Sequence, residues 1–538
     1  MSKNYAMIAK TFQGLEEVLA QELTALGAND VEIGRRMVSF SGDKEMMYRA
    51  NFCLRTAIRI LKPIKEFTAK NADEVYEAIK NIVWEDYLDE KKTFAIDSVV
   101  FSNEFRHSMF VSYKVKDAIA DYFREKTGKR PSVRIHRPDL SINIHIAETK
   151  CTVSLDSSGD SLHRRGYRQE AVEAPLNEVL AAGIILQTGW KGETDFVDPM
   201  CGSGTLPIEA ALIARNIYPG IFRKEFAFER WADFDQELLE EIYNDDSQEK
   251  AFEHHIYAYD NSPGAIEIAA ENIKAAGVSK DVTFALRPIQ RMEQPEQPTL
   301  MVTNPPYGER ISSDDLLGLY QVIGERLKHA FIGNTAWILS YREECFNEIG
   351  LKPTLKLPLF NGPLECELRQ YEIFDGKLKV FKEEHAGDEK PKREFRGREK
   401  SDFRGSRDRN DRGDRSDRGE GRDSDRRGFG KPERRFDSNS RTDRDRRQDD
   451  RKFRRNENSQ DDRGERSNRF ERNDRFDRAP RRDRNDRFES RDRGPRIPKE
   501  VKKVPHEFNK GDYRKHYERR LDLEKRSGES SESSEAND

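Results

Sequence analysis

Apolar and polar positions along residues 1–160 alternate as two small α+β units require. In the first unit the pattern predicts an apolar strand at 5–12, a helix at 14–26, a strand at 31–40, a helix at 44–57 and a strand at 59–64. In the second it predicts a helix at 72–88, a strand at 93–101, a long amphipathic helix at about 107–126, and strands at 132–136, 141–147 and 151–156. We therefore expect a split βαβ unit over residues 1–66 and a second α+β unit over residues 67–160.

The pattern changes between residues 161 and 385, where helices and strands alternate singly. Helices are predicted at 176–187, 206–214, 264–276 and 316–329, and strands at 195–197, 256–259, 282–286, 299–303 and 335–340. This alternation predicts a mostly parallel, doubly wound sheet with ligands at the carboxyl ends of its central strands. Residues 215–255 must form an insertion, which Phe226, Phe228 and Trp231 are expected to pack down.

Residues 386–538 have almost no aliphatic side chains over most of their length, so they are expected to be a disordered charged tail. Residues 391–500 carry 39 basic against 28 acidic side chains, a net charge of +11, which leaves −15 on the remainder because the total is −4. An acidic body with a basic tail favours a nucleic-acid partner. The alternative is a polyampholyte that only keeps the protein soluble.

The cysteines indicate a reducing, cytoplasmic compartment because they are scattered and form no Cys-x-x-Cys pair. No apolar run reaches the roughly 18 residues of a membrane span, and the N-terminus has no apolar stretch of signal-peptide length. We therefore expect no membrane association. His254 and His255 lack converging Cys or Asp partners, so no metal is expected either.

A short glycine-containing loop follows the predicted strand 195–197 and is typical of a nucleotide-cofactor site. Gly202 and Gly204 let a ligand approach the backbone closely. The acidic residue Asp198 opens the loop, and the full Gly-x-Gly-x-x-Gly pattern is absent, which disfavours a dinucleotide. Asp198 suits the ammonium group of S-adenosylmethionine (SAM), and Asp260, at the end of the next strand, suits the two ribose hydroxyls.

The sequence Asn304-Pro305-Pro306-Tyr307 follows the predicted strand 299–303 and is suited to hold a flat amine. The Asn304 side-chain oxygen and the Pro305 carbonyl are left as acceptors for both hydrogens of an exocyclic amine. Tyr307 offers a face on which a base can stack. Loop and clamp together predict methyl transfer to a nucleobase, without distinguishing guanine from adenine.

Basic side chains gather in the second unit, and two interpretations remain open for them. They form a solvated face or a groove for RNA backbone. The residues are Arg106, Lys114, Lys126, Lys129, Arg130, Arg134 and Arg137.

Four motifs together resemble one family of enzymes. They are Leu162-His-Arg-Arg-Gly-Tyr-Arg168, Ala174-Pro-Leu176, Asp198-Pro-Met-Cys-Gly-Ser-Gly-Thr205 and Asn304-Pro-Pro-Tyr-Gly-Glu-Arg310. Over about residues 1–380 the chain resembles class I SAM-dependent RNA methyltransferases with a THUMP domain, specifically the bacterial enzymes that make N2-methylguanine in 23S ribosomal RNA. The resemblance implies a ferredoxin-like domain at 1–66, a THUMP domain at 67–160 and a Rossmann-like methyltransferase domain at 161–385. The partner it implies is 23S RNA or a large-subunit assembly intermediate.

The resemblance also assigns roles to residues. Asn304, Pro305, Pro306 and Tyr307 would hold the guanine amine. The candidate SAM contacts are Asp198, Pro199, Cys201, Gly202, Gly204, Thr205, Asp260, Asn261 and Gln290. The candidate RNA contacts are Arg164, Arg165 and Arg168 at the domain junction, with Lys129 and Arg134. Gln290 stands where the family often has an acidic residue for the adenine amine, and no second methyltransferase domain follows, so one activity is expected.

Two other functions remain compatible with the sequence. The same clamp would serve an adenine-N6 methyltransferase acting on RNA or DNA. The Arg-rich tail with interspersed phenylalanines is also typical of an RNA-binding or annealing protein without catalysis.

Overall fold

The computed structural model describes residues 4–308 and 312–376. The predictions made for the tail at 386–538 lie outside the described residues.

The first half of the described chain is built on an eight-stranded sheet with the order β2-β3-β1-β4-β8-β7-β5-β6. Its elements are β1 (Tyr5–Lys10), α1 (Glu16–Ala25), β2 (Asn29–Gly34), β3 (Met37–Gly42), α2 (Lys44–Cys53), β4 (Arg59–Thr68), α3 (Ala72–Lys80), β5 (Thr93–Phe101), α4 (Ser108–Thr127), β6 (Ser132–Val133), β7 (Leu140–Ala147) and β8 (Lys150–Asp156). Helix α3 stops well before the predicted residue 88, and a 3₁₀ turn (Trp84–Asp86) follows it.

Strand β4 joins the two predicted units into one sheet. It pairs antiparallel with β1 on one side and with β8 on the other, from Leu61 opposite Asp156 to Thr68 opposite Lys150. The register shifts between Pro63 and Lys65, where proline has no N–H for the ladder. Buried side chains from both units therefore share one hydrophobic core.

The second half is a seven-stranded sheet with the order β11-β10-β9-β12-β13-β15-β14. Its elements are α5 (Glu178–Thr188), β9 (Asp195–Asp198), α6 (Thr205–Ala214), α7 (Gln236–Asn244), β10 (Ile256–Asp260), α8 (Pro263–Ala275), β11 (Val282–Leu286), β12 (Thr299–Thr303), α9 (Ser313–Ala330), β13 (Thr335–Ser340), α10 (Glu343–Glu348), β14 (Leu355–Asn361) and β15 (Leu364–Glu372). Five strands are parallel, and β15 and β14 add an antiparallel hairpin. The predicted mostly parallel sheet is confirmed.

The insertion between α6 and β10 packs against helix α2 of the first half. The Phe228 ring stacks on Tyr48 with centroids 4.0 Å apart and on Phe226 at 5.3 Å. Trp231 is buried in the same core cluster. The aromatic residues therefore hold the insertion in place. They pack against helix α2 and the core of the first half of the described chain.

The described residues also bear on the predictions made from the apolar runs, the cysteines and the histidines. None of their helices combines the length and the apolar character needed to cross a membrane. All five cysteines are buried free thiols. Residues 4–308 and 312–376 contain no cluster of three His, Cys, Asp or Glu side chains arranged to hold a metal, and His254 Nδ1 lies 3.6 Å from the Asp195 carboxylate.

Candidate active site

Three adjacent parallel strands bring the predicted site residues to one edge of the second sheet. Strand β9 lies between β10 and β12. Asp198 ends β9, Asp260 ends β10, and Asn304 directly follows β12. Because parallel strands end at the same edge, the loop and the clamp are neighbours.

Asp198 is a buried carboxyl group that connects the end of β9 to the end of β12. Its Oδ1 accepts hydrogen bonds from the Met200 amide at 3.1 Å and from the Thr303 hydroxyl at 2.8 Å. Burial raises the pKa of Asp198 to about 7, and the hydrogen bond from Thr303 opposes this shift. A cation placed beside the carboxyl group would favour its charged form, so the site suits a ligand with an ammonium group.

The loop from Pro199 to Thr205 has the backbone that its glycines predict. Gly202 and Gly204 both have positive φ, +53° and +80°. A Cβ on Gly204 would lie 3.3 Å from the Ala269 Cβ of α8, so a side chain there would crowd the helix. Pro199, Cys201 and Thr205 are buried, and burial raises the pKa of the Cys201 thiol, which leaves it uncharged.

Asp260 holds the glycine loop directly. Its Oδ2 accepts a hydrogen bond from the Gly202 amide and its Oδ1 from the Ser262 amide, both at 2.9 Å. Each carboxylate oxygen has a second lone pair, so both can still accept from ribose hydroxyls. Asn261 follows with an exposed side chain, and Gln290 is exposed on a 3₁₀ turn after β11.

The clamp has a hydrogen-bond arrangement that the sequence did not predict. The Tyr307 hydroxyl donates to Asn304 Oδ1 at 2.6 Å, and Asn361 Nδ2 donates to the Tyr307 hydroxyl at 3.3 Å. The Tyr307 ring meets Tyr341 edge to face, with centroids 5.2 Å apart. Pro305 is buried and Pro306 exposed. Tyr307 thus contacts the predicted acceptor in addition to presenting a ring.

Arg168 holds the loop from Pro199 to Thr205, and its hydrogen bonds go to protein groups, which argues against the predicted contact with RNA. Its guanidinium donates to the Glu178 carboxylate at 2.8 Å, to Ser203 Oγ at 2.9 Å and to Thr205 Oγ1 at 3.0 Å. With its donors directed into the protein, the side chain fixes the start of α6. Asn272, which is fully buried, adds a hydrogen bond to the Ser203 carbonyl at 3.0 Å.

Arg165 is also unsuited to the predicted contact with RNA, because only 1 % of it is exposed. It donates to the Leu162 carbonyl at 2.8 Å and to the Arg55 carbonyl, and it lies 3.4 Å from the Glu209 carboxylate. The sequence Arg164-Arg165 gave no sign of this difference, since only the fold decides which side chain points inwards.

Arg164 is exposed and lies at a cleft of about 530 Å³ between the first sheet and the insertion. The charged and titratable side chains of its lining are Arg59, Asp97, His136, Arg137, Asp156, Asp160, Arg164, Glu225 and Arg230. Arg137 and Arg230 both pair with Glu225. Lys129 and Arg134 are exposed on the segment around β6. These three predicted RNA contacts are therefore open to solvent.

The site depends on further residues that sequence reasoning missed. Thr303 and Asn361 contact the predicted residues only because β12 and the end of β14 meet at the site. Thr303 stands next to Asn304, a position that could have drawn attention to it. Asn361 lies 54 residues from Tyr307, and no local pattern relates the two.

Three family models match consecutive parts of the chain. A ferredoxin-like domain model named for RlmL matches residues 6–61, a THUMP domain model matches 69–156, and an RMKL-like methyltransferase domain model matches 165–370.

Curated relatives cover the same part of the chain. A ribosomal RNA large subunit methyltransferase K/L from Syntrophotalea carbinolica is 40 % identical over 380 residues, which are 68 % of this chain and 53 % of the relative. A putative RNA methyltransferase from Synechocystis, slr0064, is 37 % identical over 369 residues, which are 68 % of this chain and 96 % of the relative. The chain thus spans about half the length of the K/L relative.

Solved structures have the same fold. SMU.472, a putative methyltransferase complexed with SAH, superposes with a TM-score of 0.62 and 29 % identity over 70 % of this chain and all of its own. A predicted N6-adenine-specific DNA methylase from Listeria monocytogenes gives 0.61 and 30 % over 69 % of this chain and 97 % of its own. With the matching domain models and the near-complete coverage of the Synechocystis relative, these similarities show that the chain belongs to the family of RMKL-like methyltransferases that carry a THUMP domain.

Proposed function

We propose that this protein is a SAM-dependent methyltransferase that methylates N2 of a guanine in 23S ribosomal RNA. The observation that carries the proposal is the junction of the two motifs. The Asp198 loop and the Asn304 clamp occupy adjacent strand ends and are joined by the 2.8 Å hydrogen bond between Thr303 and Asp198. A cofactor bound at the loop and an amine held by the clamp would therefore lie side by side.

The residues of the loop fit SAM. The buried Asp198 carboxyl suits an ammonium group, and Asp260 keeps free lone pairs for two ribose hydroxyls. The loop backbone is open to close approach at Gly202, where an added Cβ would find its nearest neighbour, Val172, at 3.5 Å. When bound, SAM supplies an electrophilic methyl group. The structural relative complexed with SAH supports this choice of cofactor.

The clamp acts by orienting the exocyclic amine of the target base. Asn304 Oδ1 and the Pro305 carbonyl accept the two hydrogens of the exocyclic amine, which directs the nitrogen lone pair towards the cofactor loop. Tyr307 provides aromatic surface for the base, with a stacking contribution of about 1–3 kcal/mol. The amine loses its proton after transfer, so no general base is required.

The choice of ribosomal RNA rests on the THUMP domain model and on the K/L relatives. We assign Arg164, Lys129 and Arg134 to RNA contact because they are exposed, and we place the activity in the cytoplasm. We also propose the domain boundaries 1–66, 67–160 and 161–385, which enclose the three matching models.

The test is a methylation assay with the full-length protein, SAM and deproteinised 23S RNA from a strain that lacks the gene. Nucleosides are then quantified by mass spectrometry. N2-methylguanosine at about one per 23S molecule is the expected product. The Asn304→Ala variant, which should bind SAM normally, serves as the inactive control.

Adenine N6 is the second candidate, and the Listeria relative favours it. If the assay yields N6-methyladenosine, adenine is the target and the proposal of guanine is wrong. No methylated nucleoside in 23S RNA, transfer RNA or DNA, together with retained RNA binding, would establish a binding role without catalysis.

A further inference from the structure

The hairpin of β14 and β15 reaches the clamp through one side chain, Asn361. Asn361 is the last residue of β14, and Gly362, with φ +62°, turns the chain into β15. This position directs the Asn361 amide to the Tyr307 hydroxyl at 3.3 Å. Strand β15 is antiparallel to β13, β14 is antiparallel to β15, and the hairpin lies outside the loop and clamp motifs.

Asn361, Tyr307 and Asn304 form a hydrogen-bond relay, in which both bonds run in the direction from Asn361 to Asn304. Asn361 Nδ2 donates to the Tyr307 oxygen, and the Tyr307 hydroxyl donates to Asn304 Oδ1 at 2.6 Å. A hydroxyl that accepts on its oxygen must place its own hydrogen elsewhere. Asn304 Oδ1 accepts it at 2.6 Å, and the Cys366 thiol is a second group within reach of the hydroxyl. Burial raises the pKa of the Tyr307 hydroxyl, so it stays protonated and remains a donor at neutral pH.

The direction matters because an asparagine amide has two different ends. Asn304 accepts through Oδ1 and donates through Nδ2, and only its oxygen can receive a hydrogen from a base amine. If Tyr307 lost its donor role, the Asn304 amide could rotate by half a turn and present its NH₂ group to the substrate amine. Two donors would then face each other, and the amine would be turned away from the methyl group.

We propose that Asn361 is a positioning residue for methyl transfer, which acts through the Tyr307 hydroxyl to set the orientation of the Asn304 amide. The inference rests on the proposed function, since it takes Asn304 to be the acceptor for the substrate amine. It adds a positioning residue that lies 54 residues from Tyr307 in the sequence and on a different part of the sheet.

The decisive variant is Asn361→Asp, because it keeps the size of the side chain and replaces its donor by acceptors. The Tyr307 hydroxyl, which stays protonated, then donates its hydrogen bond to the new carboxylate, and Asn304 loses its donor. We expect kcat to fall about tenfold, the loss of one oriented hydrogen bond, with the KM for SAM unchanged within about twofold. Asn361→Ala should lower kcat less, since it removes the donor and adds no competing acceptor.

A double-mutant cycle separates this relay from a general effect on the fold. In the Tyr307→Phe background the hydroxyl is absent, so Asn361→Asp should change kcat by less than about twofold further. Asn347→Asp, which adds the same charge at an exposed position of α10, serves as the matched control and should retain wild-type kcat. An equal fall in kcat with and without the Tyr307 hydroxyl would overturn the proposal, as would wild-type kcat in Asn361→Asp.

Failure of the proposed function has a separate signature. If the wild type methylates no nucleic acid, the relay is tested by crystal structures of the wild type and Asn361→Asp. The relay predicts that the Tyr307 hydroxyl turns from Asn304 Oδ1 to the new carboxylate. An unchanged Tyr307–Asn304 hydrogen bond in the variant would refute it without reference to activity.

Discussion

At the scale of single residues, the site depends on one buried acid. Asp198 is 2 % exposed, and its hydrogen bonds come from Met200 and Thr303. Burial raises its pKa from 3.8 to about 7. Its contribution to folding stability is therefore fully present below pH 3.8 and is lost as the pH rises through 7. The acid therefore costs stability at the pH at which the proposed binding of SAM needs its charged form.

This linkage predicts a pH-dependent affinity for SAM. The dissociation constant should fall as the pH rises through about 7, because the ammonium group binds the carboxylate, and it should rise again where the ammonium group itself loses its proton. Calorimetric titration between pH 6 and 8.5 measures the profile. Thr303→Val should move its midpoint to higher pH, since the variant loses a hydrogen bond that favours the charged form. A midpoint that stays in place in Asp198→Asn would show that another group titrates.

The single residues also show how much of the candidate site could be predicted from the sequence. Asp198, Asp260 and Asn304 were identified because each follows a strand, and strand order places them together. The burial of Arg165 and the inward donors of Arg168 could not be foreseen, because adjacent arginines have the same local pattern and only tertiary packing distinguishes them.

At the scale of elements, the parallel strands and their helices were predictable and the hairpin was not. Buried parallel strands such as Thr299–Thr303 are continuous apolar runs. In β14 and β15 the pattern is interrupted by Pro358, Glu365 and Glu367, which hides the strands. The insertion is similar: its aromatic residues predict that it is packed down, whereas the surface that they cover lies on helix α2, and Tyr48 precedes Phe228 by 180 residues.

The insertion should contribute strongly to stability through Phe228. Phe228→Ala removes a fully buried ring that stacks on Tyr48 and Phe226, with an expected loss of about 3–5 kcal/mol. Urea unfolding followed by circular dichroism measures it. Phe110→Ala removes a ring that is 53 % exposed on α4 and should change stability by about 0.5 kcal/mol or less. Equal losses in both variants would contradict the proposed anchoring.

At the scale of the whole molecule, buried polar contacts connect the first half of the described chain, with its eight-stranded sheet, to the second half, with its seven-stranded sheet. Arg165 connects the Arg55 carbonyl of the first half to Glu209 on α6 of the second. Burial raises the pKa of Glu209, which Arg165 opposes, and Tyr167 donates to Glu209 Oε1 at 2.9 Å. The contact lies on the helix that begins at the cofactor loop.

Breaking this contact should destabilise the protein. Arg165→Met removes the cation that is paired with the buried Glu209, with an expected loss of about 3–5 kcal/mol. Arg164→Met, at the exposed neighbour, should cost about 0.5 kcal/mol or less. Thermal unfolding of the full-length variants compares them. The double variant Arg165→Met with Glu209→Gln should recover part of the loss, and no recovery would argue against the ion pair as the cause.

Strand β4 gives the first half one uninterrupted sheet, and the insertion and Arg165 fasten that half to the methyltransferase sheet. Between the exposed basic segment around β6 and the clamp, each junction in the described chain is therefore held by packed contacts. Under the proposed function, an RNA anchored on the first half would reach the clamp at a fixed distance from its anchor. The target base would then be chosen by this distance, so that the neighbouring bases could vary while the spacing could not.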